Sequence, residues 1–264
     1  MSVFPSATLR SSVVSRLRTA GCVFAEDEAR ILLSAAATPA ELATMVRARA
    51  EGRPLEHVVG WAEFAGLRIA VDPGVFVPRR RSEHLVATAT ALTGPDAVVV
   101  DLCCGSGALG AGLAATTRGG VELHAADVDP AAVRCARRNL APYGGHVHQG
   151  DLFAALPAGL RGRVDVLLAN VPYVPTADIG LLPPEARLHE ALPALDGGAD
   201  GLDVLRRVAA DAPQWLAPGG SLLFETSERQ TPAALAIARD AGLRATASHH
   251  EDLDATVITA TRRC

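Results

Sequence analysis

The stretch VVVDLCCGSGALG, residues 98–110, holds an apolar strand, a glycine-rich turn and a helix start in one run. Gly105 and Gly107 permit positive φ and a close approach of backbone to a ligand, so extended chain passes into helix within a few residues. Strand and helix signals keep alternating to the end. VELHAADV, GHVHQGDLF, RVDVLLANVPY and GGSLLFET read as strands, and PAAVRCARRNL, ADGLDVLRRVAADAPQWL and TPAALAIARDAG as helices, before the last segment RATASHHEDLDATVITATRR. That order predicts an α/β fold on a doubly wound, mostly parallel sheet.

The first residues follow another pattern. From residue 8 to about 50 apolar positions recur at helical spacing, which predicts three short helices; Thr38, Pro39 and Glu41 form a capped start and Gly52 a stop. PLEHVVGWAEFAGLRIAVDPGVFVPRR then breaks into short extended pieces, a small hairpin. The expected organisation is a helical region at 1–52, a β-hairpin linker at 53–77 and the main domain at 78–264. A chain of 264 residues has room for one main core and a small appended one.

All 25 basic residues are arginine, which excludes Schiff-base lysine chemistry and Walker-type phosphate loops. A net charge of −4 weakens the case for a broad phosphate-binding surface. No apolar run approaches the roughly 20 residues that span a bilayer, and the N-terminus lacks a signal-peptide pattern. These features predict a cytoplasmic protein that does not engage membranes. The five cysteines, Cys22, Cys103, Cys104, Cys135 and Cys264, form no CxxC pair and read as reduced thiols, and no metal site is expected. His249 and His250 read as a surface loop.

In an open α/β sheet, ligands bind outside the carboxyl ends of the strands. Gly105, Gly107 and Gly110 satisfy G-x-G-x-x-G, a weak dinucleotide signal by itself. About 20 residues on, Asp127 closes the next strand, where a carboxylate can accept both hydroxyls of a ribose, although it could instead cap the following helix with Asp129. Asp151 and Leu152 end a third strand, where an adenine could be edged and covered. A nucleoside ligand fits, and NAD and S-adenosylmethionine remain equal at this point. LLANVPYVP, residues 167–175, decides between them. Pro172 stops the strand and pushes Val171 toward an extended conformation. The Asn170 side-chain oxygen and the Val171 carbonyl then offer two acceptors that could grip a planar NH2, and Tyr173 could stack on it or wall off water.

DLCCGSGALG, ADVDP, GDLF and NVPY in this order resemble the class I S-adenosylmethionine-dependent methyltransferases of amide and exocyclic nitrogens, whose usual tetrapeptide is Asn-Pro-Pro-Tyr. RPLEHVVGWAEFAGLRIAVDPGVFVPRRRSEHLV, EARLHEALPALDGGADGL and LAPGGSLLFETSERQ narrow the resemblance to the HemK-like protein N(5)-glutamine methyltransferases, which modify the Gly-Gly-Gln glutamine of peptide chain release factors. It covers most of residues 41–260. The resemblance implies a seven-stranded Rossmann-like sheet, S-adenosyl-L-methionine as cofactor and a release factor as protein partner rather than nucleic acid. It implies a cofactor loop at Cys103, Cys104, Gly105, Ser106 and Gly107, a ribose acid at Asp127 and an adenine-side position at Leu152. Asn170 to Tyr173 become the glutamine-gripping tetrapeptide, Glu190 a family acid after it, and the N-terminal helices a substrate-docking region. Val171 departs from the family proline, Cys103 and Cys104 replace small residues, and the N-terminal region is short. A nucleic-acid amino-methyltransferase, an NAD-dependent oxidoreductase and a non-catalytic binding protein are the alternatives. PRRRSE, residues 78–83, reads either as a solvated loop or as part of the active-site side.

Overall fold

The computed structural model describes residues 7–263; Cys264 and the start of the expected 1–52 region lie outside the described residues. Four helices come first, α1 (Ala7–Thr19), α2 (Ala25–Ala35), α3 (Pro39–Ala50) and the short α4 (Leu55–Val59). The last occupies sequence read as extended. Val13, Leu17, Ala29, Leu32, Leu42 and Val46 form a core of their own among these helices. Thr38 caps α3 by accepting from the Glu41 amide at 3.1 Å, with Pro39 at the first helical position where its missing N–H costs nothing. The strands β1 (Trp61–Phe64) and β2 (Leu67–Ala70) make an antiparallel hairpin.

Then α5 (Glu83–Thr90) leads into the alternating series: β3 (Ala97–Leu102), α6 (Ala108–Thr116), β4 (Val121–Asp127), α7 (Pro130–Leu140), β5 (His146–Gln149), β6 (Val164–Ala169), α8 (Pro184–His189), α9 (Asp203–Trp215), β7 (Leu216–Thr226), α10 (Thr231–Asp240), β8 (Arg244–His250) and β9 (Ala255–Thr261). Seven strands form one sheet in the order β5-β4-β3-β6-β7-β9-β8, parallel except where β9 pairs with β7 and β8. The expected α/β class and mostly parallel sheet are present. His249 and His250 are the exception: they end β8 rather than lying in a loop, paired with Thr256 and Ala255.

Successive side chains in a strand face opposite sides, so each central strand feeds two cores. Val99, Leu168 and Leu223 pack with Leu85, Leu113 and Leu140 and with the hairpin's Phe64. Val100, Leu167 and Phe224 pack with Leu205, Val208, Trp215 and Ala238 on the other side. Each such leucine or valine contributes about 1.5–3 kcal/mol by leaving water. No helix of the described residues is long and apolar enough to cross a membrane.

Strand order reverses at β3 and β6, the switch point where an open sheet leaves a crevice. The register sets Leu102 beside Ala126 and Ala169, and Asp127 beside Gln149. The chain therefore leaves four neighbouring strands at one level, and their loops meet at one rim.

Candidate active site

The rim opens on a cavity of about 1290 Å³ lined by Cys103, Cys104, Gly105, Ser106, Asp127, Asp151, Leu152 and Asn170 to Tyr173. All of the expected site residues but Gly107 line it. Gly107 stands behind the loop, where φ is +78° and a Cβ would come within 3.1 to 3.3 Å of Leu140 and Ala136, so α6 packs tightly on α7. Cys104 and Gly107 close the turn through a 2.7 Å backbone hydrogen bond from the Gly107 amide to the Cys104 carbonyl.

The capping of the following helix falls to Asp129, and Asp127 binds two backbone amides. Its Oδ2 accepts from the Gly105 amide at 2.8 Å and its Oδ1 from the Asp129 amide at 2.9 Å, while Asp129 caps α7 by accepting from Ala131. Each carboxylate oxygen has a second lone pair, so the group pins the glycine turn to β4 and still has acceptor capacity. Burial raises its pKa against the pull of those amides. Asp151 pairs with Arg207 at 2.5 Å at the cavity's edge. Burial pushes the Cys103 and Cys104 thiols up, with nearby carboxylates adding to it, so both remain protonated packing residues.

Asn170 begins the loop after β6, and its Nδ2 donates to Ser82 Oγ at 3.5 Å. Val171 is buried at 2% exposure, and among the described residues no donor reaches its carbonyl. Tyr173 lies against the sheet, its hydroxyl donating to Glu225 Oε1 at 2.9 Å and contacted by Arg81. Burial, then the Glu225 carboxylate, raises the phenol's pKa, so Tyr173 is no base here.

The PRRRSE segment belongs to this side of the molecule. Arg79 Nη2 donates to both Glu190 oxygens at 2.6 and 2.7 Å, and the same carboxylate accepts from the Val77 amide at 3.3 Å. Arg81 Nε and Ser82 Oγ donate to the two oxygens of Glu225, at 2.8 and 2.6 Å. Sequence reasoning did not single out Glu225. It stands in β7 two residues past Leu223, which pairs with Leu168, and so is level with Asn170. It lies within LAPGGSLLFETSERQ, one of the segments that carry the family resemblance, as a charged residue inside an apolar run.

Residues 66–191 match the family described as the methyltransferase small domain. The release factor glutamine methyltransferase of Gloeobacter violaceus is 40% identical over 208 residues, covering 76% of this chain and 71% of that one. That of Mycolicibacterium smegmatis is 40% identical over 204 residues, covering 75% and 72%. Among solved structures, a methyltransferase from Pyrococcus furiosus superposes with a TM-score of 0.57 at 17% identity, over 75% of this chain and 90% of that one, which is a likeness of fold. With that fold, the motif order and relatives at this identity and coverage, the chain belongs to the release factor glutamine methyltransferase family and is an S-adenosylmethionine-dependent methyltransferase.

Proposed function

We propose that this chain transfers a methyl group to the side-chain amide nitrogen of the Gly-Gly-Gln glutamine of a peptide chain release factor, in the cytoplasm. The observation that carries the reading is the pair of neighbouring acceptors on Asn170 and Val171, lining the cavity that also holds the Gly105 turn and Asp127.

The residues present fit the cofactor. Asp127 has lone pairs to spare for ribose hydroxyls, Leu152 offers an apolar cover beside Asp151, and the positive φ of Gly105, +53°, lets backbone rather than side chain line the cavity. Asp127, Asp129 and Asp151 add negative charge to a lining that suits a cation. When bound, S-adenosylmethionine supplies an electrophilic methyl group on a positively charged sulfur.

An amide nitrogen is a weak nucleophile because its lone pair is delocalised. Asn170 Oδ1 and the Val171 carbonyl accept its two N–H bonds and so aim the nitrogen, and their hold strengthens as those bonds become more acidic in the transition state. The protonated Tyr173 walls the site without taking a proton. The nitrogen gains a methyl and then loses a proton to water, so no buried base is needed beforehand. The N-terminal region at 1–52 docks the protein substrate, supported by the ion pair that ties Arg49 to Glu185 on the cavity's edge. Val171 in the family's proline position is compatible with this chemistry, since the atom required is its carbonyl.

The test is methyl-labelled S-adenosylmethionine with a release factor, and with tRNA, rRNA or DNA in parallel. Label is expected on the glutamine, and Asn170→Ala should lower kcat on the order of 100-fold with little change in cofactor affinity. Label found in nucleic acid alone rejects the reading.

A further inference from the structure

Glu225 has no part in the chemistry above, yet it is 3% exposed and collects three donors next to the tetrapeptide. Its Oε1 accepts from Arg81 and Tyr173, and its Oε2 accepts from Ser82 Oγ at 2.6 Å. Arg81 supplies the charge that balances a carboxylate this far from water.

A serine hydroxyl has one proton and two lone pairs. With that proton committed to Glu225, Ser82 Oγ can only accept from its remaining neighbour. That neighbour is Asn170, whose Nδ2 is 3.5 Å away. Turned over, the Asn170 amide would bring Oδ1 against an oxygen with no proton to give. The two ends of an amide are nearly equal in size, so hydrogen bonding rather than packing selects between them. Ser82 itself is 2% exposed, so bulk water does not compete at this contact.

We propose that Ser82 and Glu225 are positioning residues for methyl transfer: Glu225 sets the direction of the Ser82 hydroxyl, and Ser82 thereby turns the Asn170 oxygen toward the substrate. Through Tyr173 the same carboxylate also holds the far end of the tetrapeptide, so both ends are referenced to one buried group on β7. The assignment rests on the role given to Asn170 above.

The experiment is a double-mutant cycle in the full-length enzyme with a release factor as substrate. Ser82→Ala should lower kcat roughly 10-fold, the scale of one lost orienting hydrogen bond, with the S-adenosylmethionine dissociation constant within twofold. In an Asn170→Ala background, followed by single turnover over long times, adding Ser82→Ala should change the rate by less than twofold. An equal fold-loss in both backgrounds overturns the assignment, because a merely structural role would act regardless of Asn170. Full activity of Ser82→Ala overturns it too. A wild-type enzyme that leaves the release factor unlabelled overturns the functional reading itself, which separates that failure from this one.

Discussion

Asp101 near the end of β3 is fully buried, with Oδ2 accepting from the Gly110 amide at 2.9 Å and Oδ1 without a partner among the described residues. A Cβ at Gly110 would stand 3.2 Å from that same Oδ2, closer than most side-chain contacts. Burial pushes the Asp101 carboxyl up to about 7, partly offset by the Gly110 amide, with Asp127 adding repulsion. In the unfolded chain the group ionises near 4, its ordinary value being about 3.9. Between those two values the folded state holds a proton that the unfolded state has lost, so this group's contribution makes the protein less stable as pH rises from about 4 to about 7. Asp101→Asn keeps the volume and the acceptor for Gly110 while removing the charge. It should therefore gain stability over wild type at pH 8, by up to a few kcal/mol, and little at pH 4. Urea denaturation of both proteins at the two pH values checks this, and an equal difference at both would contradict the assignment.

The loop after β6 depends on elements that brace it rather than on its own residues. The Val174 amide donates to the Leu195 carbonyl at 3.1 Å, the Gly197 amide to the Val174 carbonyl at 2.8 Å, and the Thr176 amide to the Gly198 carbonyl at 2.9 Å. Gln230 Nε2 at the start of α10 donates to the Tyr173 and Asp200 carbonyls at 2.9 and 3.0 Å. These bonds do part of what the family's missing proline would do, restraining the segment from outside while Pro172 restrains it from within. Gly197 is one point where the bracing is tight: an added Cβ would lie 2.6 Å from the Gly201 carbonyl oxygen and 2.7 Å from that of Pro172. Both obstacles are backbone, so one chain must move. Gly197→Ala should cut kcat roughly 10-fold or more through a misplaced tetrapeptide, while calorimetric titration finds cofactor affinity nearly unchanged. Cofactor affinity falling in step with kcat would instead mean that the disturbance spreads to the glycine turn.

Across the whole molecule, Arg49 joins the N-terminal helices to α8, which contributes to the cavity lining. Arg49 is 7% exposed, donates to Glu28 at 2.6 and 3.1 Å and forms an ion pair with Glu185 of α8 at 2.7 Å. Replacing it by methionine leaves the buried Glu28 without its partner and should cost about 3–5 kcal/mol, seen as a lowered midpoint in thermal unfolding. Glu185→Ala breaks a pair with a half-exposed acid and should cost only about 0–1 kcal/mol; matching losses would show that Glu28 is not the group at stake. This ion triad was not legible in the sequence, whereas the α/β alternation, the glycine turn, Asp127 and the NVPY strand end were. Those features are local: hydrophobic period, φ preference and the effect of a proline on its neighbour act over a few residues. Ser82, Asn170 and Glu225 come from three distant segments, and His249 and His250 became strand only because β9 lay beside them. Local signals in the chain mark where β3, β4 and β6 end and what chemistry their ends carry. Which strand ends stand next to each other was decided by sheet order and register, which are set by burying two apolar faces at once and so belong to no single segment.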